Sequence, residues 1–366
     1  MESKYYIGIM SGTSLDGVDV VLVDFESFPG SLIKTNFLPY NDELKAKLLF
    51  LHHSGNDELN KAALMGNQLA HLYAKAVTEL FQDNPQKLKD VAAIGCHGQT
   101  IRHCPENGKR YTIQLGNAAL LAELTRTTVI ADFRSRDIAA GGQGAPLVPA
   151  FHKAMFMDSH HQRIIVNIGG IANITHLDPQ EVVSGFDCGP GNLLMDAWCA
   201  HHLGRPFDKN GQWAASGRVI PALLDRFLAT DFFSTPPPKS TGRDLFNFRW
   251  LENNLQGHES PEDVQCTLLQ LTVKSIVSAI NQYHPEADEV FLCGGGAHNT
   301  LLVGYLEKLL SDRKVMLTDE LGVPVDWVEA YAFAWLADQT LHGLTGNIPS
   351  VTGAKGERIL GAIYPG

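Results

Sequence analysis

The sequence predicts an α/β protein built as two similar lobes with a central cleft. Three observations carry that expectation. Short β-branched runs alternate with amphipathic helices along the chain. A strand entering a Gly/His segment occurs twice, Val91–Thr100 and Glu289–His298, each time after a long helix. And 366 residues exceed what one simple core requires.

Taken in order, Tyr5–Met10 and Val18–Phe25 read as two strands of a hairpin. The segment between them, Ser11–Gly17, is longer than a tight turn needs and rich in Gly, Ser and Thr. Asp57–Phe81 places Leu69, Leu72, Tyr73, Ala76, Val77 and Leu80 on one helical stripe. Strands are expected at Val91–Cys96, Arg163–Ile168, Val182–Phe186 and Glu289–Cys293. Ser260-Pro261-Glu262-Asp263 is a helix start: a cap, a proline in the first turn, then acids facing the dipole. Pro236–Arg243 reads as an exposed loop. The expected division is residues 1–140 for lobe I and 141–366 for lobe II, with the C-terminal segment free to pack back on lobe I.

Composition narrows function. With Lys+Arg 29 against Asp+Glu 40 the net charge is −11, which argues against nucleic-acid or anionic-membrane binding. No run of 18 apolar residues occurs, and Tyr5–Met10 is too short for a signal-peptide core, so a cytoplasmic protein is expected. Six cysteines without a CxxC read as reduced thiols. The histidine pairs 52–53, 160–161 and 201–202 read as surface or packing residues.

Five segments have the residue types for chemistry. In Gly12-Thr13-Ser14-Leu15-Asp16-Gly17, glycine-freed N–H groups beside hydroxyls suit phosphate oxygens, and Asp16 or Asp19 would hold Mg²⁺ through water. An ordinary turn whose polar side chains satisfy their own backbone fits the pattern equally. Asn167, Gly169 and Gly170 form a second such turn, and Gly294, Gly295 and Gly296 end a strand and open a helix, a place for an anion or nucleotide. Asp187, in Phe186-Asp187-Cys188-Gly189-Pro190-Gly191-Asn192, is a carboxylate after a strand, suited to general-base work or to capping the turn. In Asp132–Asp137, Arg134 and Arg136 point the same way if the segment is extended, and would hold an anionic substrate.

These segments together resemble the anhydro-N-acetylmuramic acid kinase family of the actin/hexokinase/heat-shock-chaperone ATPase superfamily. The likeness runs end to end, from Ile7–Gly17 through Gly95–Thr100, Asp132–Asp137, Gly141–Pro149, Val166–Thr175, Gly185–Asn192, Pro237–Asp244 and Cys293–Asn299 to Ile359–Pro365. It implies lobes of the actin-like, ribonuclease H-like type, ATP with Mg²⁺, an anhydro amino sugar as substrate, and a homodimer. Gly12, Thr13, Ser14, Leu15, Asp16, Gly17, Val18 and Asp19 would match the family's ATP phosphate loop, and Asp187 its catalytic base. His97, Gln99, Arg134 and Ser135 are substrate candidates, an arginine meeting the lactyl carboxylate. Glu329, at a helix start, joins them as the second acid. A generic sugar kinase of the same superfamily and an ATP-switched binding module are the other classes.

Overall fold

The computed structural model describes residues 4–26, 30–105, 110–180 and 182–366. The strands are β1 Tyr5–Ser11, β2 Gly17–Asp24, β3 Ser31–Pro39, β4 Val91–Cys104, β5 Tyr111–Leu115, β6 Val129–Ala131, β7 Arg163–Ile168, β8 Ile171–Leu177, β9 Ser184–Pro190, β10 Glu289–Cys293, β11 Lys314–Leu317 and β12 Ala362–Tyr364. They divide between two compact units, Met1–Met155 with Trp327–Gly366, and Phe156–Asp326.

In the first unit the sheet order is β12-β6-β4-β1-β2-β3, with β5 paired to β4. The expected hairpin is present: β1 and β2 are antiparallel, with Met10 opposite Asp19. β4 joins β1 in parallel and brings Gly8 opposite Gly95. That pair of glycines is a packing device. A Cβ on Gly8 would run into the carbonyl of Ala330, and one on Gly95 into the carbonyl of Phe333. Both carbonyls belong to the helix Val328–Leu341, buried at every position from Ala330 to Ala337. Small residues on both sides let helix backbone lie directly on strand backbone. On the sheet, the helix Glu58–Leu80 buries Leu69, Tyr73, Ala76, Val77 and Leu80 of the stripe expected from sequence, while Leu72 is half-buried.

In the second unit the order is β11-β10-β7-β8-β9. β7, β8 and β9 form an antiparallel meander, and β10 and β11 continue from β7 in parallel. The first unit repeats this plan with β1, β2, β3, β4 and β6. The two segments that rhyme in sequence are thus the fourth strand of each plan, and the two glycine turns are its first hairpin. This is the arrangement that the actin-like resemblance implies. The helix Pro261–Tyr283 starts as read, the Ser260 side chain accepting from the Asp263 N–H.

Several elements depart from expectation. The boundary between units lies at 155/156 rather than 140/141, because the helix Val148–Phe156 sets Phe151 against Tyr331 and Trp335, with ring centroids 5.3 and 6.2 Å apart. Residues 327–366 belong to the first unit, the placement left open for the C-terminal segment, since they supply its buried helix and its edge strand β12. β4 continues through His97 and Gln99 to Cys104, where a loop was expected, because β5 pairs with that extension.

Candidate functional site

Within the first unit, Ser11–Gly17 crosses from β1 to β2. Leu15 takes a positive φ of 59° and is buried, which turns Thr13, Ser14 and Asp16 out into solvent. The Asp16 carboxylate accepts from Ser14 Oγ at 2.7 Å and from the Gly17 N–H at 3.0 Å. Behind the loop, Gln99 is fully buried and donates from Nε2 to the Gly12 carbonyl at 3.0 Å. Ser11 Oγ donates to the Gly98 carbonyl at 3.0 Å. Gln99, one of the substrate candidates, thus backs the loop through Nε2. Val18 is buried and Asp19 half-buried within β2, so of the eight residues proposed for phosphate only the tip is outward-facing.

A second group gathers around Arg134. Its Nε and Nη2 both meet His97 Nε2, at 3.1 and 2.8 Å, and Nη1 donates to the Gly144 carbonyl at 2.7 Å. Burial, with the guanidinium beside it, pushes the His97 pKa down to about 3. The ring is therefore neutral, with its proton on Nδ1, and can accept. Burial also lowers Arg134 to about 10 against the opposing pull of Glu329 and Asp137. Glu329, in the first turn of Val328–Leu341, is raised by its own burial, with Arg134 drawing it back down. Arg134 is thus oriented by three of its five N–H groups, with two left over.

Arg136 is not its companion. The segment is not extended: Arg134 is already αR and precedes a helical turn, Ser135–Ala139, so positions 134 and 136 diverge and Arg136 is exposed. Ser135 donates to Asp132 at 2.5 Å, and both line a cavity of about 290 Å³ with His97, Tyr73 and Thr112. Unread in the sequence was Asp137. Fully buried, its carboxylate accepts from the Gly144 N–H at 2.8 Å, Asn347 Nδ2 at 2.6 Å and Thr352 Oγ1 at 2.7 Å. It thereby holds the Gly144 carbonyl that receives Arg134.

In the second unit three glycine segments meet. The Gly191 and Leu193 N–H groups donate to the Gly170 carbonyl at 2.9 and 3.1 Å, and the Asn192 N–H to Gly169 at 2.8 Å. Asn192 Nδ2 reaches the Ile168 carbonyl at 3.1 Å. Parallel pairing sets Cys293 opposite Asn167, and a Cβ on Gly294 would collide with Asn167 Oδ1 while one on Gly296 would strike Ile168. Asn167, Gly169, Gly170 and Gly294–Gly296 are therefore neighbours. Gly295–His298 is a 3₁₀ turn, and the helix Thr300–Leu309 is capped by Asn299. The glycines thus precede that helix by a turn and do not form its N-terminus.

Asp187 lies inside β9, not beyond the end of a strand at 182–186. The segment after Pro238 folds back on it. The Asp187 N–H donates to the Lys239 carbonyl at 3.1 Å, and Asp187 Oδ2 accepts from the Thr241 N–H at 2.9 Å. Burial raises this carboxyl to about 6, the Thr241 N–H opposing the rise. One oxygen is held and the other has no protein donor among the described residues. Lys239 and Thr241, in the Lys-Ser-Thr-Gly run, have no sequence signal linking them to Asp187, which lies in a separate motif.

The model of a family described as anhydro-N-acetylmuramic acid kinase matches residues 4–366. The chain is 58% identical to an anhydro-N-acetylmuramic acid kinase of Nitrosospira multiformis over all of both chains. It is 57% identical to one of Nitrosomonas europaea over 99% of each. Among solved structures, a ROK family glucokinase from Streptomyces griseus in complex with glucose and AMPPNP aligns at 12% identity, with a TM-score of 0.43, over 92% of this chain and 99% of that one.

Proposed function

Since the chain belongs to the anhydro-N-acetylmuramic acid kinase family, we propose that Asp187 is the general base of that reaction. The enzyme uses ATP to phosphorylate 1,6-anhydro-N-acetylmuramic acid as water opens the anhydro bridge, giving N-acetylmuramic acid 6-phosphate and ADP. A plain sugar kinase and an ATP-switched module are not favoured by relatives of this identity.

The observation that carries the reading is the Asp187 carboxyl, fixed at Oδ2 by the Thr241 N–H and raised to about 6. Such a group is ionised at neutral pH yet more basic than an ordinary aspartate, as a general base requires. Its free oxygen takes a proton from water as the water oxygen bonds to C1. The C1–O6 bond breaks, and O6 needs no proton because it accepts the γ-phosphoryl group.

Thr13, Ser14 and Asp16 of the tip, with Gly169, Gly170, Gly295 and Gly296, offer backbone N–H groups to phosphate oxygens, the Gly294 N–H being held by the Val325 carbonyl. For a metal, among the described residues no three His, Cys, Asp or Glu side chains gather. Asp16 is a single exposed carboxylate beside the loop, which fits Mg²⁺ held by one carboxylate, water and phosphate. Bound there, Mg²⁺ would offset charge on the transferring phosphoryl group. Arg134, pre-aimed by His97 and Gly144, would meet the lactyl carboxylate with its remaining N–H groups, with Ser135 beside it and Glu329 balancing the charge. A cytoplasmic homodimer in murein recycling completes the reading; in support, among the described residues no helix is long and apolar enough to cross a membrane.

Turnover in ¹⁸O-labelled water tests the reaction course, and turnover of Asp187→Asn tests the base. The label is expected at C1 of the product and absent from the phosphate. Unlabelled sugar 6-phosphate would mean that a sugar hydroxyl, and not water, is deprotonated, and label in phosphate would mean simple ATP hydrolysis.

A further inference from the structure

A second cavity, of about 340 Å³, lies within the unit Phe156–Asp326 and has no part in the chemistry above. One wall is the helix Pro261–Tyr283, which contributes Ser275, Ser278, Ala279, Gln282 and Tyr283. Those positions follow the i, i+3, i+4, i+7, i+8 pattern, so they form one face. It is a largely polar face on a helix whose other sides are mostly buried. Leu228, Phe233, Ser234, Cys188 and Lys239 complete the lining of the cavity.

Lys239 sets the character of the cavity. Its ammonium donates to the Phe232 carbonyl at 3.1 Å and lies 4.6 Å from the centre of the Phe232 ring. Among the described residues no carboxylate pairs with it. Burial lowers its pKa, as expected of a cation taken from water without a counter-charge. The Cys188 thiol is pushed well up by burial, so it is neutral and offers no compensation. An ammonium has three donors, and the carbonyl uses one. The cavity thus holds a cation with unfilled hydrogen-bonding capacity, hydroxyl and amide groups at Ser278 and Gln282 on its exposed side, and apolar side chains at Leu228, Phe233 and Ala279.

We propose that this cavity is a binding site for a small organic anion, its carboxylate on Lys239 and its apolar body against Phe233 and Leu228. An anion there gains a charge-assisted hydrogen bond in a partly dry setting, worth more than the same pair in water. The apolar wall gives preference to an organic acid over inorganic phosphate. The site is distinct from the proposed base yet shares its backbone: Cys188 follows Asp187, and Lys239 carries the carbonyl that receives the Asp187 N–H.

The test uses the whole chain and benzoate, followed by saturation-transfer NMR and calorimetry at constant ionic strength, with benzamide as the uncharged isostere. Saturable benzoate binding is expected, at least tenfold tighter than benzamide. Lys239→Met should weaken it at least tenfold. Because that change might disturb the neighbouring backbone, Ser278→Trp is the second variant: it sits on the exposed mouth, fills it, and should abolish binding while leaving the melting temperature in place. Equal affinity for benzamide overturns the proposal, since Lys239 would then not be reading charge. Absence of saturable binding overturns it, as does binding that survives both substitutions and hence lies elsewhere. None of these outcomes depends on whether Asp187 is the base, which the turnover of Asp187→Asn decides separately.

Discussion

At Asp187 the same burial that would serve chemistry costs stability. The carboxyl has a pKa of about 6 in the folded chain against an ordinary 3.8. Between those values the unfolded chain binds fewer protons than the folded one, so this group's contribution to stability falls as pH rises through the window, and the full penalty stands above pH 6. Asp187→Asn keeps an acceptor for the Thr241 N–H and removes the buried charge. We expect it to be more stable than the parent at pH 7, by up to about 3 kcal/mol, with the difference vanishing near pH 4 in denaturant titrations. Its turnover should fall at least about a hundredfold, the usual worth of a general base. The parent's kcat/KM should decline below about pH 6 rather than near 4. A variant with near-normal turnover would remove Asp187 from the mechanism and make Glu329 the next acid to test.

At the scale of elements, two glycine positions have opposite roles. Gly95 lies under the helix Val328–Leu341, and the two nearest atoms that a Cβ would meet are backbone atoms of Phe333. Backbone cannot turn aside as a side chain can, so Gly95→Ala should separate strand from helix and lose about 1–3 kcal/mol, the range for overpacking, measured as a lower unfolding midpoint. Gly12 is different. The nearest atom to a Cβ there is Ser14 Oγ at 3.6 Å, an ordinary contact. Gly12→Val should therefore fold with an unchanged midpoint. If phosphate rests against this loop, the new side chain occupies its place, and ATP affinity by calorimetry should drop at least tenfold. Unchanged affinity would make Ser11–Gly17 a plain turn.

The two units differ in how they are drawn from the chain, and that has consequences for the whole molecule. Phe156–Asp326 is continuous in sequence and contains its complete five-stranded sheet. Met1–Met155 is not self-sufficient, because the helix under β1 and β4 and the edge strand β12 come from residues beyond 326. Expressed alone, residues 156–326 should unfold in a cooperative transition, whereas residues 1–155 should expose the sheet face that Val328–Leu341 covers and bind a hydrophobic dye without one. A cooperative transition for the 1–155 fragment would show that the C-terminal helix adds to that unit without being required by it.

The periodicities and punctuation of the sequence determined the α/β class, the first hairpin, the two long helices, and the doubled pattern of strand and glycine turn, since these depend on neighbours a few residues apart. The ordered set of motifs running from Ile7–Gly17 to Ile359–Pro365 carried the family resemblance. What depends on distant partners was settled only in the tertiary structure. β4 runs on through His97 because β5 pairs with it, and the unit boundary moves because Phe151 packs on Tyr331. Arg134 and Arg136 part because the segment turns helical, and Gln99 faces the Gly12 carbonyl from 87 positions away. The Thr241 N–H that sets the Asp187 carboxyl is 54 positions from it, and the Asn347 and Thr352 donors to Asp137 lie 210 and 215 positions away. No local pattern encodes such a contact: a hydrogen bond across that separation exists only when the whole sheet and its loops have brought both ends together.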